Sequence, residues 1–193
     1  MRTLAGVVIA GGRAQRMSGV EKGLVCYKGK PMILWVAMAM AMSKVSQTVL
    51  LNVNRQLSDY QLLGYDVFED AKSYADRGPL SGLWNALNKV STTHLLVSPC
   101  DTPNISAEAF VRLNEASLER PDKIHCLEGE SGMHPLHAIM PVESALECLT
   151  AFFAEAKGNS MMAFYQRHGY ECLHWGFANE LLNVNYQEQV VAS

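Results

Sequence analysis

Residues 8–24 read Val-Ile-Ala-Gly-Gly-Arg-Ala-Gln-Arg-Met-Ser-Gly-Val-Glu-Lys-Gly-Leu, and this stretch decides how the chain is expected to fold. The apolar run Leu4–Ala10 leads into it and ends at Gly11-Gly12, a pattern typical of a buried strand that runs into a turn. Two glycines let a ligand approach the backbone N–H groups closely, because no Cβ shields them. Three cations that suit a polyphosphate follow: Arg13, Arg16 and Lys22. The stretch therefore points to a nucleotide-handling enzyme.

The stretch matches neither of two well-known phosphate-binding loops. A P-loop closes on Gly-Lys-Ser/Thr and the dinucleotide fingerprint requires Gly-x-Gly-x-x-Gly, and the stretch contains neither pattern. On these residues alone, a strand followed by a flexible, solvated turn remains the plainer alternative. The segments further along the chain favour phosphate binding.

Composition places the chain among globular proteins. Its 193 residues are 49% hydrophobic and 18% charged, which suits a single domain over residues 1–193 with a full core. The net charge of −3 argues against a nucleic-acid binder or a cationic membrane surface. Residues 1–30 carry a local charge of +5, a basic patch that suits a small anionic ligand. The longest uncharged apolar run, Met32–Met42, is too short for the roughly 20 residues that span a bilayer.

The five cysteines are scattered, odd in number and never spaced as Cys-x-x-Cys. This pattern fits reduced, mostly buried thiols and neither a disulfide framework nor a zinc site. We therefore expect a cytoplasmic protein, and a monomer is the expected state.

Strand-like and helix-like segments alternate, which predicts an α/β fold with a mostly parallel sheet. The predicted strands are Leu4–Ala10, Thr48–Asn52, Asp66–Glu69, His94–Ser98, Lys123–Leu127 and Leu136–Pro141, with a turn at Gly129–Gly132 between the last two. The predicted helices are Pro31–Ser43, with Pro31 in the first turn, Ser58–Leu63, Leu80–Val90, Ala109–Ser117 capped by Ser106, Val142–Ala156 and Met161–His168.

Ligands of open α/β sheets bind beyond the carboxyl ends of the strands, and the unusual residues of this chain fall there. Asp101, held between two prolines directly after a predicted strand, suits a Mg²⁺ ligand that bridges to phosphate oxygens, although an Asp opening a turn is the common alternative. Lys22 and Arg16 are expected to neutralise charge that develops during phosphoryl transfer, the alternative being solvated surface cations.

Several other polar residues are weaker candidates for ligand contacts when each is considered alone. Asp70 is as often a helix cap or turn residue as a ligand contact, and Asn52 and Asn54 are as often strand-end residues as base or ribose contacts. Asn183 and Asn185 share one side of an extended segment, which could complete a metal or phosphate site or form a polar edge strand. His134 is expected to line a pocket or to form part of a turn rather than to act as a general base, since ionised phosphate oxygens need no base. Cys100 is expected to be a buried structural thiol.

Taken together, the segments resemble one family, the molybdenum cofactor guanylyltransferases of the MobA type. The matching motifs cover almost the whole chain. They are Ala-Gly-Gly-x-x-x-Arg-Met-x-Gly-x-x-Lys at Ala10–Lys22, Gly29-Lys30-Pro31, Asn52–Arg55, Glu69-Asp70, Gly78–Gly82, Pro99–Pro103, His134-Pro135 and Asn183–Asn185.

The resemblance implies a Rossmann-like three-layer sandwich that transfers GMP from GTP to the molybdopterin-bound molybdenum cofactor and releases diphosphate, with Mg²⁺ as cofactor. The catalytic residues would be Lys22, Asp101 and Arg16, with Asp101 as metal ligand. GTP would contact Ile9, Ala10, Gly11, Gly12, Arg13, Lys22, Asn52, Asp70 and Asp101, and the pterin side would include His134, Pro135, Asn183 and Asn185. Further implied partners are cofactor-synthesis proteins and molybdoenzyme chaperones, with no nucleic acid and no membrane.

Two other functions stay open. A cytidylyl- or sugar-phosphate nucleotidyltransferase would share the fold and its loops, and a non-catalytic nucleotide-binding or cofactor-carrier protein would share the site. The chain also departs from the family pattern at His137, where a small or apolar residue is expected after His-Pro-x.

Overall fold

A seven-stranded sheet forms the centre of the computed structural model, which describes residues 1–10, 21–71, 74, 77–155 and 158–184. Its spatial order is β5-β4-β1-β6-β8-β7-β9, and a separate β2–β3 hairpin lies beside it. The strands are β1 (Leu4–Ile9), β2 (Cys26–Tyr27), β3 (Lys30–Pro31), β4 (Thr48–Asn52), β5 (Asp66–Phe68), β6 (His94–Pro99), β7 (Ile124–Gly129), β8 (Gly132–Pro141) and β9 (Tyr170–His174).

Six α-helices within the described ranges pack on the sheet. They are α1 (Met32–Met42), α2 (Leu57–Gln61), α3 (Pro79–Lys89), α4 (Ala107–Glu119), α5 (Val142–Ala154) and α6 (Met161–His168). Neighbouring strands from β5 to β6 run parallel, β8 is antiparallel to both β6 and β7, and β9 is parallel to β7. The predicted α/β fold with a mostly parallel sheet is confirmed.

The two faces of the sheet build two separate cores, because successive side chains of a strand point to opposite sides. On one face, Val8 and Leu96 pack against α1, α2 and α4. On the other, Val7 and Leu95 pack against α3, α5 and α6. All four side chains are fully buried, as expected for strands covered on both faces. Helices on both sides of one sheet make the predicted three layers.

Most of the predicted elements are present with bounds shifted by a few residues. Ser106 caps α4 as predicted, its hydroxyl oxygen accepting a hydrogen bond from the Ala109 N–H at 3.2 Å. Pro31 ends β3 and precedes α1 as its N-cap, so its predicted place in the first turn of the helix is wrong by one position. The first-turn proline in this chain is Pro79, which begins α3.

Strand β8 contains an irregularity that matters for the site. Its register with β7 jumps between two pairs, from Cys126 opposite Ala138 to Leu127 opposite His134. The intervening residues 135–137 therefore bulge out of the ladder, and Pro135 has no N–H with which to continue it. The bulge redirects the side chains of this segment.

The carboxyl ends of β1, β4, β5 and β6 meet at one edge of the sheet, and β8 begins at that same edge because it runs antiparallel to β6. The β7–β8 turn lies there as well, since Gly129 pairs with Gly132. Among the described residues, no helix combines the length and apolar character that crossing a membrane requires.

Candidate active site

Asp101 lies in the turn that follows β6, at the carboxyl edge of the sheet. The N–H of Cys100 donates to the Ile9 carbonyl at 3.0 Å, which ties the turn to β1. The carbonyl of Asp101 itself accepts from the Val184 N–H at 2.8 Å, which ties the turn to the C-terminal segment. Backbone contacts on two sides thus fix the position from which the carboxylate projects.

Lys22 and Asp101 form the central charged pair of the site. The Lys22 Nζ donates to the Asp101 Oδ2 at 2.6 Å, although the two residues are 79 positions apart in the chain. Their side chains are only 15% and 19% exposed, so solvent screens the pair less than a surface ion pair. The arrangement places a cation and a carboxylate side by side at the end of β6, where the sequence predicted the carboxylate.

The position of Lys22 depends on its neighbour Gly23. Residues Lys22–Leu24 form a short 3-10 turn, and Gly23 is buried beneath it against Tyr60. A Cβ added at Gly23 would lie 2.7 Å from the Tyr60 hydroxyl oxygen, so that the tyrosine or the turn would have to shift. Glycine at this position therefore lets the turn that carries Lys22 approach α2.

Asp70 is held by two asparagines from the end of β4. The Asn52 Nδ2 donates to Asp70 Oδ1 at 2.9 Å, and the Asn54 Nδ2 donates to Asp70 Oδ2 at 2.8 Å. In return, the Asp70 N–H donates to the Asn54 Oδ1 at 2.8 Å. One carboxylate is thus oriented by two side-chain amides, and this cluster lies at the carboxyl ends of β4 and β5.

Asn52 is fully buried, and α3 packs closely over it. A Cβ at Gly82 would lie 2.8 Å from the Asn52 Oδ1 and 3.0 Å from the Ile9 Cγ2. The Asn52 Oδ1 has no hydrogen-bond partner within the described part of the chain. Asn52 is therefore placed to align Asp70, and the direct GTP contact expected of it stays a prediction.

The first strand contributes its backbone to this edge. The Ala10 N–H donates to the Asn52 carbonyl at 2.9 Å, so this amide is already engaged. Ile9 and Ala10 are both buried, between the ends of β4 and β6. Five further residues predicted for the site lie outside the described ranges: Gly11, Gly12, Arg13, Arg16 and Asn185.

A cavity of about 390 Å³ opens next to Asp101, on the side of β8. The residues predicted for the pterin side that the structure describes, His134, Pro135 and Asn183, all line it. Leu136 and Met161 add apolar surface, and Pro79 and Pro99 complete the wall beside Asp101. The lining of the cavity combines polar and apolar surface in about equal measure, and a concave site of this size can hold a small molecule.

Two histidines of β8 contribute to this cavity. The His134 Nε2 lies 3.3 Å from the Ser131 Oγ, and burial lowers the pKa of His134 below its usual value. His137 is fully buried, its Nε2 is 2.9 Å from the Thr102 Oγ1, and burial lowers its pKa to about 3. The rings of the two histidines meet edge to face, with centroids 5.9 Å apart. Both rings are therefore mainly neutral at pH 7.

The thiol of Cys100, adjacent to Asp101, is poorly suited to act as a nucleophile. Burial raises its pKa to about 12, and the neighbouring Asp101 carboxylate adds to the shift. A protonated, buried thiol is unreactive near neutral pH. The predicted structural role of Cys100 agrees with these surroundings, and all five cysteines are free of disulfide bonds.

Sequence reasoning missed several residues that shape the site. Tyr60 carries no chemical signal in the sequence, because only its packing against Gly23 reveals a role. Gly82 belongs to a family motif, but its close approach to Asn52 was not predicted. Thr102 and Val184 act through single hydrogen bonds, to His137 and to the Asp101 carbonyl. His137 did carry a signal, since it departs from the family pattern in the middle of a matching motif.

The ligand atoms available around Asp101 suit a metal ion that is coordinated partly by the protein and partly by bound substrate. Among the described residues, no three His, Cys, Asp or Glu side chains cluster tightly enough to form a protein-only metal site. Mg²⁺ is usually held by one or two carboxylates together with substrate phosphates and water. A single, partly buried carboxylate at the carboxyl edge of the sheet fits that type of site.

Comparisons with known proteins agree with this geometry. The family model of the MobA-like NTP transferase domain matches residues 6–171. A molybdenum cofactor guanylyltransferase from Ralstonia nicotianae is 33% identical over 86% of this chain and 83% of its own length.

Two solved structures have the same fold at low sequence identity. Molybdopterin-guanine dinucleotide biosynthesis protein A from Archaeoglobus fulgidus superimposes with a TM-score of 0.72 at 16% identity, covering 98% of this chain and 96% of its own. The 4-diphosphocytidyl-2C-methyl-D-erythritol synthase from Anaerococcus prevotii gives a TM-score of 0.74 at 12% identity, covering 99% and 96%. At these identities the superpositions show the shared nucleotidyltransferase fold. The family model and the sequence identity go further: this chain belongs to the MobA-like NTP transferase family.

Proposed function

We propose that this protein transfers GMP from GTP to the molybdopterin-bound molybdenum cofactor and releases diphosphate. The observation that carries the proposal is the Lys22–Asp101 pair, which stands between the polar edge formed by β1, β4 and β5 and the cavity beside β8. A two-substrate transfer needs a charged centre with a binding site on each side. The matched relatives are named molybdenum cofactor guanylyltransferases, and this chain aligns with most of their length.

The order of the strands indicates how the nucleotide would lie along the edge of the sheet. Asp70 follows β5 and Asp101 follows β6, and the two strands are separated by β4 and β1, which puts them three strand spacings apart, roughly 14 Å. We assign the guanosine end to the Asn52–Asp70 cluster and the phosphates to the region between β1 and Asp101. Asp70 is suited to accept hydrogen bonds from the N–H groups of a base edge, because two amides already hold its carboxylate in place.

Charge stabilisation and positioning supply the catalysis in this scheme. A phosphate oxygen of the pterin is already ionised, so it attacks the α-phosphorus without a general base, and diphosphate leaves. Lys22 offsets the negative charge that grows on the phosphates, and Arg13 and Arg16 are assigned the same task on the leaving diphosphate. The glycine pair Gly11-Gly12 is assigned to bind phosphate oxygens through its backbone.

Asp101 is the proposed ligand of Mg²⁺. The bound ion would neutralise phosphate charge and draw the two reacting groups together. The chain's own contribution is the position of the turn that carries the Asp101 carboxylate, because the backbone hydrogen bonds of Cys100 and Val184 hold this turn on two sides.

The cavity beside β8 is the proposed site of the pterin. His134 and Asn183 offer hydrogen-bonding groups, Pro135 shapes the wall, and Asn185 is assigned to the same side. A cytoplasmic location, and contacts with other cofactor-synthesis proteins and with molybdoenzyme chaperones, belong to the same proposal.

Diphosphate release tests the proposal and both of its rivals. With Mg²⁺ and the molybdenum cofactor, GTP should give stoichiometric diphosphate and CTP should give little, because a site that pairs the edge of one base rejects another strongly. A preference for CTP would identify a cytidylyltransferase. Nucleotide binding without any diphosphate would identify a non-catalytic binding protein.

A further inference from the structure

His137 lies in an irregular part of β8, and its surroundings are set by the fold rather than by the residues next to it in the sequence. It belongs to the β8 bulge of residues 135–137, which points away from the ladder with β7. The Tyr165 hydroxyl donates to the Pro135 carbonyl and holds the start of the bulge against α6. Bulges of this kind commonly redirect a side chain beside an active site. Here the side chain so directed is an imidazole, fully buried and in contact with Thr102.

Thr102 directly follows Asp101 and is fully buried. The register between β6 and β8 ends at Val97 and Ala138. Beyond it, Pro99 has no N–H to offer and the Cys100 N–H turns to β1. The hydrogen bond between the Thr102 Oγ1 and the His137 Nε2, 2.9 Å long, therefore connects the turn to β8 where the backbone ladder has stopped.

The turn that carries Asp101 is thus held from three directions. Cys100 binds β1, the Asp101 carbonyl binds Val184, and Thr102 binds His137. A displacement of about 1 Å in a reacting group can cost on the order of a hundredfold in rate, so each of these ties bears on catalysis.

We propose that His137 is a positioning residue: through its hydrogen bond to Thr102 it fixes the turn that orients the Asp101 carboxylate. The proposal rests on the function proposed above for the catalytic consequence, but its structural part does not. Because burial keeps the imidazole neutral, the hydrogen bond retains one form across the neutral pH range.

The alternative role for His137 is to fill space between the cavity wall and the core. A leucine would fill that space without the hydrogen bond, whereas a glutamine keeps a side-chain nitrogen able to reach Thr102. Thr102→Val removes the hydroxyl at nearly constant shape. His125 gives the matched control, since it is also buried and bonded through its Nε2, at 2.8 Å to the Arg120 carbonyl, but begins β7 far from the site edge.

The kinetic test compares His137→Leu, His137→Gln, Thr102→Val and His125→Leu in the GTP-dependent transfer. We expect His137→Leu and Thr102→Val to lower kcat on the order of tenfold to a hundredfold with KM for GTP changed less than about threefold. His137→Gln should recover much of the loss. The Thr102→Val/His137→Leu double variant should be no worse than the poorer single variant, because both remove one hydrogen bond. His125→Leu should lower the melting temperature and leave kcat near that of wild type.

An exchange experiment tests the positioning role without any turnover. Hydrogen–deuterium exchange should be faster at the amides of Cys100 and Val184 in His137→Leu than in wild type, and unchanged there in His125→Leu. If wild-type protein shows no transfer, the proposed function fails while this measurement still decides the positioning role. Unchanged exchange at both amides, or a kcat for His137→Leu equal to that of His125→Leu, would overturn the proposal.

Discussion

Single residues set the chemistry at the centre of the site. Lys22 and Asp101 meet at 2.6 Å in partly buried surroundings, where a charge has more effect than on the open surface. Each is positioned by its own local device, Gly23 beneath the lysine and the Thr102–His137 hydrogen bond behind the aspartate. The pair therefore places two charges at a defined point of the site, which is what electrostatic stabilisation of a transition state requires.

Replacing either member of this pair should lower activity strongly and spare the fold. Asp101→Asn is expected to lower kcat by about 10²–10³ because one fixed charge is lost at nearly the same shape, and Lys22→Ala by at least about tenfold. Diphosphate release measures both, with Lys89→Ala at the exposed end of α3 as control. Near-normal turnover of Asp101→Asn would exclude the metal role.

Replacing Cys100, in contrast, should leave the activity almost unchanged. Because its thiol is buried and its pKa is raised to about 12, Cys100→Ala should keep kcat within about threefold of wild type. The loss of a small buried side chain should appear as a lower melting temperature, of a few degrees. Cys26→Ala, at an exposed cysteine, serves as the reference. Complete loss of transfer in a well-folded Cys100→Ala variant would make the thiol catalytic.

At the scale of the elements, close packing between neighbours decides where the site residues stand. The turn that carries Lys22 approaches α2 through Gly23 and Tyr60, and α3 approaches β1 and β4 through Gly82. Both approaches depend on a missing Cβ. The elements that carry the polar site residues are thus positioned by close packing at two glycines, which have no functional group of their own.

Gly23→Ala tests this dependence. The new Cβ would meet the Tyr60 hydroxyl at 2.7 Å, so the turn should shift and kcat should fall, by at least about tenfold. Within the described part of the chain the Tyr60 hydroxyl has no hydrogen-bond partner, so Tyr60→Phe alone should be close to neutral for stability. Adding Tyr60→Phe to Gly23→Ala should restore part of the activity. No recovery in the double variant would mean that the clash is not the cause.

The elements also show what could be predicted from the sequence. Apolar runs such as Leu4–Ile9 predicted β1 and its neighbours, because strands buried on both faces leave a continuous signal. Strand β9 (Tyr170–His174) is half exposed and mixed in polarity, and it was missed for that reason. The β8 bulge was missed because it depends on partner strands.

The sequence predicted where in the fold the site lies, but not which of its side chains contact each other. The carboxyl-edge rule brought Asn52, Asp70 and Asp101 to one edge of the sheet, and the strand directions confirm that edge. The contact between Lys22 and Asp101 joins residues 79 positions apart, and no spacing rule specifies it. Hydrogen bonds such as that of Thr102 with His137 follow only from the folded arrangement.

For the whole molecule, buried neutral histidines should make stability fall in acid. The pKa of His137 is about 3 in the folded protein against an ordinary 6.5, so below pH 6.5 the unfolded chain binds a proton that the folded chain does not. The free energy of unfolding should therefore decrease as the pH falls through this range, by up to about 1.4 kcal/mol per pH unit from this residue. Burial lowers the pKa of His94 and His168 as well, which adds to the slope.

Urea unfolding between about pH 7 and pH 4 measures this slope. His137→Leu should show a shallower dependence than wild type, whatever its stability at pH 7. Gln166→Ala, which removes no titratable group from an exposed position on α6, should keep the wild-type slope. Equal slopes in wild type and His137→Leu would mean that His137 titrates near its ordinary pKa in the folded protein.

The proposal that guanylate moves from GTP across the Lys22–Asp101 centre to the pterin is tested most directly by following the label in GTP marked at the α-phosphorus. In the presence of Mg²⁺ and the molybdenum cofactor, the label should appear in the cofactor, with unlabelled diphosphate as the second product. Asp101→Asn should slow this transfer by about 10²–10³. Label that stays in free GDP or GMP, or that reaches the cofactor equally well in Asp101→Asn, would contradict the account.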